Sequence, residues 1–154
     1  MRPPLRISAL IALVLLIAIQ FIRPAKNLGA AEGPQDVGSR VAVPAGVHRL
    51  LVDACYNCHS DRTTYPWYAN VEPVGWWLAH HVNAGKGHLN FSRFAAYSPT
   101  RAGRKLDGIA ELVNKHDMPL ASYTWLHPEA RLTAAQRARL VAWAQAARDQ
   151  LPPR

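Results

Sequence analysis

Cys55, Tyr56, Asn57, Cys58 and His59 spell Cys-x-x-Cys-His, the spacing by which a polypeptide attaches a c-type haem covalently. Each position has a chemical task. The two thiols add across the vinyl groups of the macrocycle, the two intervening residues set the sulfurs at the separation of those groups, and the adjacent imidazole reaches the iron. Three other chemistries use paired cysteines: a structural disulfide, a thioredoxin-type redox pair and half of a zinc site. The redox pair calls for a βαβ setting that the sequence lacks, and zinc calls for a second pair of ligands that only scattered histidines supply.

A haem iron has a sixth position, and Met118 is the leading candidate for it. Apart from Met1 it is the only methionine, it precedes Pro119, and its thioether is a soft ligand that raises the reduction potential. The alternatives are His48, His80, His81, His88, His116 and His127. His80 and His81 sit together beside Trp76 and Trp77, and either would make a bis-histidine centre of lower potential. Trp67, Trp76, Trp77 and Trp125 are expected to wall the haem crevice, with Arg62, Lys86 and Arg93 as candidate partners of the propionates.

These residues need a scaffold, and its pattern is helical. Val47, Leu50, Leu51 and Ala54 fall at i, i+3, i+4 and i+7 on a helix that starts near Pro44 and runs into Cys55. A second helix is predicted from Pro73 to about Asn83, ended by Gly85 and Gly87. Ser98 and Pro99 open a third, with Leu106, Ile109, Ala110 and Val113 on its apolar face and Pro119 as its stop. Residues 117–132 read as a loop. Thr133 and Gln136 make a capping box for a last helix to about Gln150, whose inner face carries Leu140, Trp143, Ala144, Ala147 and Leu151. Nothing alternates with period two, so the expected fold class is all-α: a small cytochrome c-like helical domain around one covalent haem, preceded by an N-terminal membrane helix.

That membrane helix is read from the run Ile7–Ile22, which Arg2 and Arg6 precede and Arg23 and Lys26 follow. Sixteen helical residues reach about 24 Å, short of a typical hydrocarbon core, yet the basic residues after the run favour an uncleaved anchor over a cleaved signal. The expected organisation is an anchor or signal sequence over 1–26, a flexible Gly- and Pro-containing linker over 27–43, and a haem-binding domain over 44–154. Net charge is +8. Four of the basic residues lie in or beside the apolar run, leaving 14 against 10 acidic residues, scattered and interleaved. Nucleic acid is therefore excluded as the expected partner. Haem c is attached outside the cytoplasmic membrane, which places the domain in the periplasm or another extracytoplasmic space, with the N-terminus cytoplasmic.

The chain resembles a bacterial family of haem-binding domain proteins along nearly its whole length. The resemblance is carried by Gln20-Phe21-Ile22-Arg23-Pro24 with Lys26-Asn27, by Cys55-Tyr56-Asn57-Cys58-His59-Ser60, and by Thr64-Tyr65-Pro66-Trp67-Tyr68-Ala69-Asn70. His88-Leu89-Asn90-Phe91-Ser92, Met118-Pro119-Leu120 and His127-Pro128-Glu129-Ala130-Arg131-Leu132 extend it. It implies a membrane-anchored, single-haem, cytochrome-like protein. The expected function is one-electron transfer to and from redox partner proteins, with no enzymatic activity, through iron held by His59 and Met118. A haem sensor or peroxidase-like enzyme with an open distal site is the alternative, and haem as a mere structural cross-link is a third.

Overall fold

A computed structural model describes residues 3–152 and shows seven α-helices joined by short 3-10 turns, with no strand among the described residues. The helices are α1 (Pro3–Ile19), α2 (Ala45–Ala54), α3 (Tyr56–His59), α4 (Val74–His88), α5 (Pro99–Asn114), α6 (Ala121–Leu126) and α7 (Ala134–Asp149). The all-helical expectation is met. Arg2, one of the basic residues flanking the apolar run, lies outside the described residues.

Local signals in the sequence explain the sharpest boundaries. The Ser98 hydroxyl accepts from the Arg101 amide with Pro99 in the first turn of α5, and Thr133 and Gln136 form the reciprocal capping box of α7. Each satisfies amides that helix geometry leaves unpaired. The buried stripe of α5 (Ala102, Leu106, Val113) packs against Leu140, Ala144 and Ala147 of α7, where alanines let the two helices approach. Val47, Leu50 and Leu51 of α2, with Phe91 and Phe94, complete this core. Full burial of each such large side chain stabilises the fold by about 1.5–3 kcal/mol.

Four expectations are corrected. Residues 27–43 are not a flexible linker. Val37 and Val41 are core residues, 1% and 3% exposed, and the Asn27 side chain donates to the Ser60 carbonyl at 2.9 Å and to the Thr63 hydroxyl at 3.0 Å. Leu28 pairs with Arg62 in an isolated bridge. Composition hid this packing because the two valines have neither helical nor strand periodicity; their partners are distant in sequence. Second, α4 does not stop near Asn83 but continues through Gly85 and Gly87 to His88. Third, the expected loop 117–132 contains α6 and a 3-10 turn at Pro128–Ala130.

The fourth concerns the expected membrane helix. α1 has 17 residues, about 25 Å at 1.5 Å per residue against a hydrocarbon core of about 30 Å. Among the described residues no helix is long and apolar enough to cross a membrane. Every large apolar side chain from Leu5 to Ile17 is nonetheless more than half exposed, so α1 buries none of its faces fully against the domain.

Asp61 ties the N-terminal segment to the site-bearing elements. Its carboxylate accepts from Asn90 at 2.8 Å and from Arg93 at 2.7 Å, and lies 3.8 Å from Lys86, while its carbonyl accepts from the Gly29 amide. Burial pushes the Asp61 carboxyl up, but the Arg93 and Asn90 hydrogen bonds and the two cations outweigh it and hold the group below the ordinary aspartate range.

Candidate functional site

The Cys-x-x-Cys-His segment folds as the single turn α3, set at the end of α2 by the Cys55 amide bonding back to the Leu51 carbonyl. One turn of helix has little stability of its own. It is held by α4, which runs past it so closely that Gly85 is required. A Cβ on residue 85 would lie 2.5 Å from the Cys58 carbonyl oxygen and 3.2 Å from its carbon. The same glycine supplies a hydrogen-bond acceptor. His59 Nδ1 donates to the carbonyls of Gly85 (3.0 Å) and Leu89 (3.1 Å).

This arrangement assigns the imidazole. With Nδ1 carrying the proton, Nε2 holds the lone pair, and the ring orientation is set by two backbone acceptors, as for ligand histidines generally. Burial pushes the His59 pKa down against the opposing effect of the two carbonyls, so the ring stays neutral and able to donate to a metal.

A cavity of about 470 Å³ opens beside this turn. Cys55, Cys58, His59 and Met118 all line it, with Phe91, Leu89, Ile109, Leu112, Val113 and Leu120 among its apolar walls. Its size falls within the range of small-molecule sites. On α5 the wall includes Gly108, where an added Cβ would meet nothing within 4 Å, so this glycine borders open space rather than a packed neighbour.

Met118 reaches the cavity through the end of α5. The His116 amide bonds to the Val113 carbonyl and the Asp117 amide to the Leu112 carbonyl, with His116 in the left-handed region at φ 64°. This is a Schellman motif carrying histidine where glycine is usual. It ends α5 before Pro119 can, and turns Met118 toward the site. The left-handed conformation costs a side-chain-bearing residue about 1–2 kcal/mol, only partly offset by the greater unfolded-chain entropy of glycine. His116→Gly is therefore expected to stabilise the protein by about 0.5–1 kcal/mol, read as a rise of a few degrees in Tm. A lower Tm would mean that the His116 side chain makes a stabilising contact that outweighs its backbone strain.

The other expected site residues separate. His81 and His88 line the cavity; His80 does not. His127 is also absent from the lining. Its Nδ1 donates to Glu129 at 2.8 Å, its Nε2 accepts from the Tyr68 hydroxyl at 2.7 Å, and its ring stacks on Tyr123 at 4.2 Å. Both nitrogens are engaged, and the ring supports Tyr123, whose hydroxyl accepts from Asn57 inside the motif at 2.7 Å. Burial pushes that tyrosine up to about 12, against the Asn57 hydrogen bond. His48 pairs with Glu32 at 2.8 Å.

Two groups are corrected outright. None of Trp67, Trp76, Trp77 and Trp125 walls the cavity, and all four are exposed, Trp67 and Trp125 to more than three quarters. The buried tryptophan is Trp143 in the core, its indole donating to the Ala42 carbonyl. Lys86 and Arg93 serve Asp61 and Arg62 pairs with Leu28, so none of the three lines the cavity; the basic residues that do are Arg104 and Lys105, four and three residues before Gly108 on α5. Their signal in the sequence was the helical spacing Arg104-Gly108-Leu112, which shares a face with Lys105 and Ile109.

The competing chemistries of the cysteines lose ground on the same geometry. The two sulfurs are not bonded to each other. Burial pushes the Cys55 thiol up to about 12, with Cys58 nearby adding to it, and burial pushes Cys58 up as well; a redox nucleophile needs the opposite shift. No group of three or more His, Cys, Asp or Glu suited to a metal ion occurs among the described residues.

Fold and site together define a class: a small all-helical domain with an apolar cavity beneath a Cys-x-x-Cys-His turn. The model of the haem-binding domain family matches residues 14–146, and the chain belongs to that family. It is a haem-binding protein. No curated protein and no solved structure matches the chain. The cavity suits that group, with two thiols, one oriented imidazole and one thioether facing space walled mainly by apolar side chains, and two cations on its lining.

Proposed function

We propose that the protein is a c-type cytochrome that carries single electrons, with one haem attached through Cys55 and Cys58 and iron ligated by His59 and Met118. The observation that carries this is the convergence of all four residues on one apolar cavity, with His59 already oriented by Gly85 and Leu89. Cys55 and Cys58 would hold the group covalently, each thiol S–H adding across one vinyl double bond with the sulfur on one carbon and the hydrogen on the other, which would need no oxidant and no leaving group. Haem iron supplies the reversible one-electron chemistry. The chain's residues do the rest. His59 Nε2 and the Met118 thioether would hold the metal, Leu89, Phe91, Ile109 and Leu112 would keep water away, and Arg104 and Lys105 would be the cations available to the propionates. Thioether ligation and an apolar surround both raise the potential.

The exposed apolar side chains of α1 support a membrane location for this domain. We infer an inserted N-terminal segment with the haem domain on the extracytoplasmic side, where the attachment chemistry operates and redox proteins of the same membrane are its partners.

His81 and His88 on the cavity wall favour one second reading, a sensor or peroxidase-like protein in which a histidine acts on a ligand at an exchangeable iron position. Optical spectra of the haem-loaded protein separate the two. The electron-carrier reading expects a haem c spectrum that survives denaturation, a weak thioether-to-iron band in the oxidised state, and no response to carbon monoxide. Met118→Ala should abolish that band and admit carbon monoxide. An unchanged Met118→Ala spectrum would remove Met118 from the iron, carbon monoxide binding to the unaltered protein would favour the second reading, and haem extractable by acid solvent would overturn covalent attachment.

A further inference from the structure

We propose that the surface around the end of α1, formed by Phe21, Ile22, Val71, Val74 and Trp76, lies in the headgroup layer of the membrane and docks the haem domain directly on lipid. This rests on the reading of α1 as a membrane-inserted segment.

α1 is clamped to the domain rather than tethered loosely. The Gln20 side chain donates to the Glu72 carbonyl at 3.0 Å and accepts from the Glu72 amide at 2.9 Å, and the Trp76 indole donates to the Ile22 carbonyl at 2.6 Å. Wherever α1 inserts, the start of α4 must follow. The side chains brought there are apolar and uncovered: Phe21 is 83% exposed and Ile22 64%, with Val71, Val74 and Trp76 also exposed. Tryptophan suits a membrane interface, with an apolar body and a polar tip.

Charge at this end agrees. Glu72 is the one acid within residues 19–27 and 65–77, and it is turned inward, 2% exposed, with its carboxylate accepting the Trp76 amide. Arg23 and Lys26 follow the helix directly, Arg23 donating to the Gln20 carbonyl and Lys26 lying 5.4 Å over the Tyr65 ring. Cations beside an apolar rim match an anionic lipid surface. A protein partner would cover one stripe of α1, whereas its apolar side chains are exposed all round, as a lipid-immersed helix requires. Because α4 carries Trp76 at one end and His81, Gly85 and His88 of the cavity wall along its length, docking fixes the height and tilt of the haem site above the bilayer.

The test uses the haem-loaded full chain with vesicles of phosphatidylcholine and phosphatidylglycerol. Flotation reads insertion, and hydroxyl-radical oxidation with peptide mass spectrometry reads Trp76 and Phe21 against Trp125 on α6. The expected result is a floating protein in which Trp76 is oxidised roughly tenfold less than Trp125, since interfacial tryptophans are withdrawn from water. A floating protein in which Trp76 and Trp125 differ no more than their exposures of 36% and 76% would overturn the docking face and leave the inserted segment standing. A protein that does not float overturns both.

Discussion

Gly85→Ala should destabilise the protein and impair haem loading, although alanine is the better helix former. Intrinsic propensity favours the substitution by about 1 kcal/mol. Opposing it, the new methyl carbon would lie 2.5 Å from the Cys58 carbonyl oxygen and 3.2 Å from the Cys58 Cβ. The obstacle is backbone, which cannot swing aside as a side-chain tip can, and overpacking of this kind costs about 1–3 kcal/mol or more. Relief requires α4 to move away from α3, which lengthens the His59 hydrogen bonds to Gly85 and Leu89 and unsettles the imidazole. Gly87 provides the control, because a Cβ there meets nothing within 4 Å, and Gly87→Ala should raise Tm by the propensity gain alone. Thermal melts and the ratio of haem absorbance to protein absorbance read both effects. Equal Tm changes in the two variants would show that the close passage of α4 over Cys58 does not constrain the site.

Phe91→Ala is expected to cost about 3–5 kcal/mol, a large part of the 5–15 kcal/mol typical of a whole domain. Phe91 is 1% exposed and stacks on Tyr56 at 5.2 Å between ring centres. It also meets His59 edge-on at 6.5 Å and forms part of the cavity wall. Its loss should therefore do two things: lower the denaturant midpoint, and let water into the site, which lowers the reduction potential of the bound haem. Phe94 is equally buried but does not line the cavity. Phe94→Ala should lose comparable stability with the potential unchanged. If both variants shift the potential alike, Phe91 acts through the general core and not as a wall of the site.

These two residues mark the boundary between what could and could not be read in advance. The Cys-x-x-Cys-His motif was legible because it is contiguous: five neighbouring residues carry both thiols and the imidazole, and no fold is needed to bring them together. Met118 stood out for a different reason, the absence of any other thioether beyond Met1, and it lies on the same cavity as the motif. Phe91 and Gly85 carried no comparable mark. A glycine in an apolar helix reads as a stop signal until the backbone passing beside it is known. The tryptophans failed in the opposite direction, since their size suggests burial while four of the five are exposed.

By itself the sequence determined the elements with local physics: the capped starts of α5 and α7, the apolar stripe of α2 leading into Cys55, the all-helical class and the Cys-x-x-Cys-His segment that follows it. Capping bonds span three residues and helical stripes repeat within two turns, so a short window contains both partners. Only the tertiary structure decided which side chains line the cavity, that residues 27–43 belong to the packed domain, that Arg104 and Lys105 rather than Arg62, Lys86 and Arg93 line it, and that His127 supports Tyr123 instead of facing the site. Each of those outcomes depends on contacts between segments tens of residues apart, where burial, close approach and the pairing of polar groups are settled jointly and no local pattern records the result.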